Sequence, residues 1–158
     1  MSGNRGFTLI EILLTLTVLT ALLMIGIPQF TNFTGDARRA VTRDRLSAIR
    51  EAIVGDPRLV SAGVYTKPGY LGNCLKVPNA LSCLSTKPTD AGLEPTCVNN
   101  YDPVTRLGWN GPYLDTASGD WDKDAWGNEI SYSSGSRTLT SKGPDGNLGG
   151  SDDISLSF

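Results

Sequence analysis

The pattern of apolar and polar positions divides the chain into three parts. From Phe7 to Ile27 a single charge, Glu11, interrupts 21 residues. Coiled as a helix, that run is about 32 Å long, against a hydrocarbon core of about 30 Å. Its polar interruptions are Thr8, Thr15, Thr17 and Thr20, whose hydroxyls can bond back to helix carbonyls. The pattern predicts a single membrane-crossing helix over 7–30. Its short end, carrying Arg5, would lie in the cytoplasm, and everything after Pro28 outside. Gly26 and Pro28 mark the end of the run, where a proline removes a backbone hydrogen bond and a kink or break is expected.

Helical spacing then resumes. Ala37, Val41, Ala48, Ile49, Ala52 and Ile53 form one predicted core-facing stripe. Arg38, Arg39, Arg43, Arg45 and Arg50 lie mostly off it, as a solvated face or as contacts to neighbouring subunits. Gly55-Asp56-Pro57 should end the helix at Val54. Residues 56–110 are punctuated by proline, glycine and asparagine and read as an irregular variable segment, with a helical turn between Ala80 and Leu84. The last third alternates. Glu129 to Ser133, Thr138 to Ser141 and Ile154 to Phe158 read as half-buried antiparallel strands, with a hairpin turn at Ser134-Gly135-Ser136. The expected fold class is α+β, a long N-terminal helix whose second half packs on a small C-terminal antiparallel sheet.

Charge and composition narrow the function. A net charge of −2 gives no support for nucleic-acid binding. The chain has no histidine, which removes the commonest general base and metal ligand. No nucleophile elbow, phosphate loop or dinucleotide fingerprint is present. No catalytic residues are assigned, and the chain is expected not to be an enzyme. Three cysteines, Cys74, Cys83 and Cys97, fall in the presumed extracytoplasmic part, and three cannot all pair within one chain. Cys74–Cys83 closes the shortest loop and is the expected disulfide; Cys83–Cys97 and three unpaired thiols are the alternatives.

Three acidic features stand out. Glu11 inside a span costs on the order of 3 kcal/mol on insertion scales. It either snorkels to the interface or pairs with a positive group on a neighbouring subunit. Asp120-Trp121-Asp122-Lys123-Asp124 begins like an EF-hand loop but has Ala125 where glycine is needed and Ser131 where a bidentate glutamate belongs. The stretch Lys142 to Asp153 brings three carboxylates, Asp145, Asp152 and Asp153, onto a loop with four glycines. That is either a calcium site or a soluble acidic turn.

Gly6-Phe7-Thr8-Leu9-Ile10-Glu11, preceded by Arg5 and followed by the apolar run, resembles the prepilin motif of type IV pilins and type II secretion pseudopilins. The resemblance implies a leader, 1–6, cut between Gly6 and Phe7 by a prepilin peptidase that methylates the Phe7 amine. It also implies that Glu11 neutralises that amine on an adjacent subunit. Gly111-Pro112-Tyr113-Leu114, Asp124-Ala125-Trp126-Gly127-Asn128 and the stretch from Ser141 to Ile154 are similar to the C-terminal half of the major pseudopilin of type II secretion. The likeness covers residues 1–55 and 108–158. It implies one calcium held by Asp145, Asp152, Asp153 and the backbone carbonyl of Lys142, with Asp124 and Trp126 structural. The expected protein is thus a pilin-like subunit of a periplasmic pseudopilus. It is anchored in the bacterial inner membrane, and residues 31–158 form a periplasmic domain. The expected partners are membrane lipid before assembly, further copies, other pseudopilins or pilins, the prepilin peptidase and an inner-membrane assembly platform. A type IV pilin of a surface filament, serving adhesion or motility, is the alternative.

Overall fold

Helix α1 runs from Leu9 to Val54, 46 residues. The structure is a computed structural model that describes residues 7–56, 58–61, 64–89, 97–117 and 119–158. The side chains of residues 25–32, 60, 64 and 65 lie outside the described set, as do the leader with Gly6, and Pro57. The chain divides after Ala37 into two units.

In the first unit, Thr8 caps α1. Its Oγ1 accepts the Glu11 backbone N–H at 3.3 Å, the bond an N-cap threonine makes to the third helical residue. The threonines inside the run behave as their sequence predicts. The Thr15 and Thr17 hydroxyls donate to the Ile12 and Leu14 carbonyls at 2.9 and 2.8 Å. Thr20 donates to the Leu16 and Thr17 carbonyls at 3.0 and 2.9 Å. The hydroxyls of Thr15, Thr17 and Thr20 are therefore satisfied by the helix itself, while Leu9, Ile10, Leu13, Leu16, Leu19 and Leu23 stand exposed. Among the described residues no helix is long and apolar enough to cross a membrane. The far end of the predicted span lies in the stretch whose side chains are outside that set. The break expected at Pro28 does not occur, since the backbone is helical on both sides of it. One lost hydrogen bond does not stop a helix that already has several turns to propagate from.

The second unit holds the core. Thr42, Leu46, Ile49, Ala52 and Ile53 of α1 are buried there and Val41 and Ala48 exposed; Ala37, the last residue of the first unit, is exposed too. The buried stripe is thus rotated around the helix from the expected one. Leu46 belongs to it along with the expected Ile49, Ala52 and Ile53, and the exposed Ala37 and Ala48 fall outside it. Gly55, at φ +83°, ends α1 as predicted, and its N–H bonds the Glu51 carbonyl at 2.8 Å.

The segment after α1 is less irregular than its composition predicts. Strands β1 (Val60–Ser61) and β2 (Val64–Tyr65) pair as a short hairpin. Helix α2 (Gly69–Cys74) delivers Tyr70 and Cys74 to the core. A 3-10 turn occupies Leu81–Leu84, where a helical turn was expected. The disulfide joins Cys74 to Cys97, with Cα atoms 5.1 Å apart, and Cys83 is free. The expected Cys74–Cys83 bridge is therefore wrong. Both bridged cysteines are fully buried in the core, whereas Cys83 sits half-buried on the 3-10 turn. Nearness in sequence did not decide the pairing: Cys74 ends α2 inside the core, where Cys97 also lies, and Cys83 stands on the half-buried turn. The segment is held further by aromatic residues. Trp109 Nε1 donates to the Cys83 carbonyl at 3.1 Å, and Tyr113 meets both Tyr70 and Trp109 edge-on at 5.6 and 6.1 Å between ring centres.

Strands β3 (Ser131–Ser133), β4 (Thr138–Ser141) and β5 (Ile154–Ser157) form an antiparallel meander with β4 in the middle. Leu139 of β4 is fully buried and Ile130 nearly so, and these join Leu46, Ile49 and Ile53 in one core. The β3–β4 connection carries Arg137 at φ +53°, so the left-handed residue of the turn follows the predicted Ser134-Gly135-Ser136.

Candidate functional site

Two places carry chemistry: the head of α1 and the loop between β4 and β5. At the first, Phe7 and Leu9 are 78% and 83% exposed, so the residue that would bear a new amine is accessible. Glu11 lies in the first turn of α1, where a carboxylate is favoured by the unpaired N–H groups of the helix end. Thr8 is bonded to the Glu11 backbone, so the cap leaves the Glu11 carboxylate available to an outside partner. The Thr8 cap was missed in the sequence, although Thr8-x-x-Glu11 before an apolar run has the spacing of a capping box.

The acidic loop is built on a buried polar hub. Asp124 is 2% exposed. Its Oδ1 accepts the backbone N–H of Trp126 at 3.0 Å and of Asn128 at 2.9 Å, and its Oδ2 accepts the Ser141 hydroxyl at 2.7 Å. Asn128 in turn donates its amide to the Gly143 carbonyl at 2.8 Å. Arg45 of α1 donates to the Lys123 and Asp124 carbonyls at 2.8 and 3.1 Å, and the Thr42 hydroxyl accepts the Ala125 N–H at 3.1 Å. The hub thereby joins α1, the end of β4 and the start of the acidic loop. Asp124 and Trp126 hold structure, Trp126 through its backbone.

Within the loop, each predicted carboxylate is held by one oxygen. Asp145 Oδ1 accepts the Asn147 N–H at 2.8 Å, Asp152 Oδ2 the Asp145 N–H at 3.3 Å, and Asp153 Oδ2 the Gly149 N–H at 2.7 Å. The second oxygen of Asp153 is buried and has no hydrogen-bond partner. Asp145 Oδ2 and Asp152 Oδ1 both close on the space over Gly150 where a side chain would stand. At Gly143, φ +65°, a Cβ would stand 2.7 Å from both the backbone oxygen and Oδ2 of Asp152, too close to be accommodated. Lys142 follows the last residue of β4, directly before this glycine. Among the described residues, no group of three or more His, Cys, Asp or Glu is arranged to hold a metal ion. Two of the three aspartates converge, and the third turns a spare oxygen inward. These hard oxygens are of the type calcium takes, one left over from each aspartate, and the six to eight ligands of such an ion would need backbone carbonyls or water besides.

A helix-and-sheet domain on a helix with a bare apolar head defines a pilin-like subunit. Comparison with known families agrees. The prokaryotic N-terminal methylation motif matches residues 1–27, and the type II secretion system (T2SS) protein G family matches residues 78–157. No curated protein and no solved structure matches the chain. The chain belongs to the T2SS protein G family, the pseudopilins, and its role is that of a structural subunit of the pseudopilus. The match begins at Pro78, so Cys83 and Cys97 fall inside the family region, which is longer than the 108–158 expected from its motifs. The surface-pilin alternative is not favoured.

Proposed function

We propose that the mature subunit begins at Phe7, crosses the inner membrane once through residues 7–30, and holds residues 31–158 in the periplasm. It passes from lipid into the pseudopilus by stacking its apolar helix against other copies and other pseudopilins on an inner-membrane assembly platform. Its role is structural, not catalytic. The observation that carries this reading is the presence on one chain of the methylation motif, at 1–27, and the protein G region, at 78–157. The exposed apolar face of α1 and the free carboxylate of Glu11 support stacking in which Glu11 meets the Phe7 amine of the next subunit. The acidic loop is read as a calcium site formed by Asp145, Asp152, Asp153 and the Lys142 carbonyl. When bound, the ion offsets three carboxylates and ties β4 to β5.

Two measurements test the reading. Mass analysis of the purified chain should give an N-terminal peptide that starts at N-methylated Phe7; an intact leader would refute processing and with it the filament role. Thermal unfolding of the full chain in detergent, with calcium and then with excess chelator, should show a midpoint that rises with calcium concentration. A midpoint indifferent to calcium, in a processed chain, would remove the ion and leave the subunit role standing.

A further inference from the structure

Among the described residues, Arg38, Arg39, Arg43 and Arg50 of α1 are unused by the fold. Arg39, Arg43 and Arg50 follow one another at spacings of four and seven residues, which places them on one face of the helix. All three are exposed. Among the described residues they make no ion pair and no hydrogen bond; the ion pairs there are Arg58 with Glu51 and Asp56, and Lys123 with Asp120. Arg45, on another face of α1, is fully engaged by the carbonyls of the 120–124 loop. Arg39, Arg43 and Arg50 set three positive charges within about 16 Å of helix, with Asp36 at a spacing of three before Arg39.

The same unit carries the opposite charge elsewhere. Asp115, Asp120, Asp122 and Glu129 lie in one stretch whose only base is Lys123, itself paired to Asp120 at 3.0 Å. The arginine column thus presents three positive charges, and the stretch from Asp115 to Glu129, which also holds the buried Asp124, carries five acids against one base. A contact that joins two different faces of identical subunits repeats from copy to copy and builds a filament rather than a closed dimer.

We propose that Arg39, Arg43 and Arg50 of one subunit dock on the Asp115–Glu129 stretch of a second copy, forming a head-to-tail contact of the pseudopilus. The proposal rests on the filament reading above and adds its register-setting charges. Complementary charge across such a contact raises the association rate and rejects wrong registers more than it adds raw affinity.

The test uses the full chain in cells with its assembly machinery, and scores filaments by electron microscopy and by cross-linked ladders. R39E/R43E/R50E should lower filament yield by about tenfold or more, while membrane level and thermal midpoint stay at the wild-type value. Adding D115R, D122R and E129R to that chain reverses both faces and should restore assembly. The neutral triple R39Q/R43Q/R50Q should assemble less than the wild type and lose its sensitivity to salt. Normal assembly of R39E/R43E/R50E, or a folded full reversal that assembles no better than the triple, would overturn the proposal and leave the filament reading intact. Failure of the wild-type chain to assemble would overturn both. Loss of binding to anionic phospholipid vesicles with unchanged assembly would assign the arginines to lipid and also overturn it.

Discussion

The Asp124 carboxylate and the Ser141 hydroxyl meet at 2.7 Å in a place closed to solvent, and that bond joins the loop that Arg45 and Thr42 of α1 hold to the end of β4, where the acidic loop begins. Asp124 also gathers two backbone N–H groups at 2.9 and 3.0 Å. Hydrogen bonds to a charged group are worth about 1.5–3 kcal/mol each, and a buried donor left unpaired costs about 1–3 kcal/mol. Asp124→Ala should therefore destabilise the chain by about 3 kcal/mol or more, read from chemical denaturation. Asp124→Asn keeps the shape and should cost less. Loss of less than about 0.5 kcal/mol in Asp124→Ala would show that the hub is incidental.

The disulfide gives a sharper contrast. The Cys74–Cys97 bridge spans a sequence separation of 23 residues. In the chain-entropy treatment a loop of this size contributes about 3 kcal/mol. Cys97→Ser should lose roughly that amount, and reductant should then have no further effect on the midpoint. Cys83→Ser should leave stability nearly unchanged and reductant sensitivity intact. The reverse pattern would restore the Cys74–Cys83 pairing.

What was legible in the sequence follows periodicity. Strands β4 and β5 were readable because Leu139 and Leu156 alternate with hydroxyl residues, and the end of α1 because Gly55 can adopt φ +83°. The stripe on α1 was half-read. Small alanines fit a helical period on either side of a core, and only the partner surface decides which side is buried. The cysteine pairing and helix α2 were not legible, because residues 56–110 are organised by long-range contacts. Tyr70 against Tyr113, and Trp109 against the Cys83 carbonyl, leave no local pattern. At the acidic loop the residue types were plain, but the buried second oxygen of Asp153 and the role of Asn128 in holding Gly143 needed the fold.

Acid should loosen the loop at Asp102 before it touches the core. The Val104 N–H and the Thr105 hydroxyl hold the Asp102 carboxyl below the usual carboxylate range. A lowered value in the folded state means that its contribution is present above the unfolded value. It is lost as pH falls through the folded one. Protection of the Val104 amide against hydrogen exchange should thus fall away only below about pH 4. In Asp102→Asn that protection should no longer depend on pH in this range. An unchanged acid profile in the variant would rule the carboxylate out as the cause.

Glu11 separates packing from charge. The Thr8 hydroxyl bonds the Glu11 backbone, so the cap does not use the Glu11 side chain. If a neighbour's Phe7 amine pairs with that side chain, Glu11→Ala and Glu11→Gln should both lower filament yield by about tenfold or more. Both should raise membrane retention, because each removes a carboxylate that costs on the order of 3 kcal/mol in the span. Thr8→Val removes only the cap, worth about 1 kcal/mol, and should fray the first turn while filaments still form. Cross-linked ladders from the three variants, at equal membrane levels, decide the matter. Equal ladders in wild type and Glu11→Gln would eliminate the charge pair, and a defect confined to Thr8→Val would move the constraint to helix order.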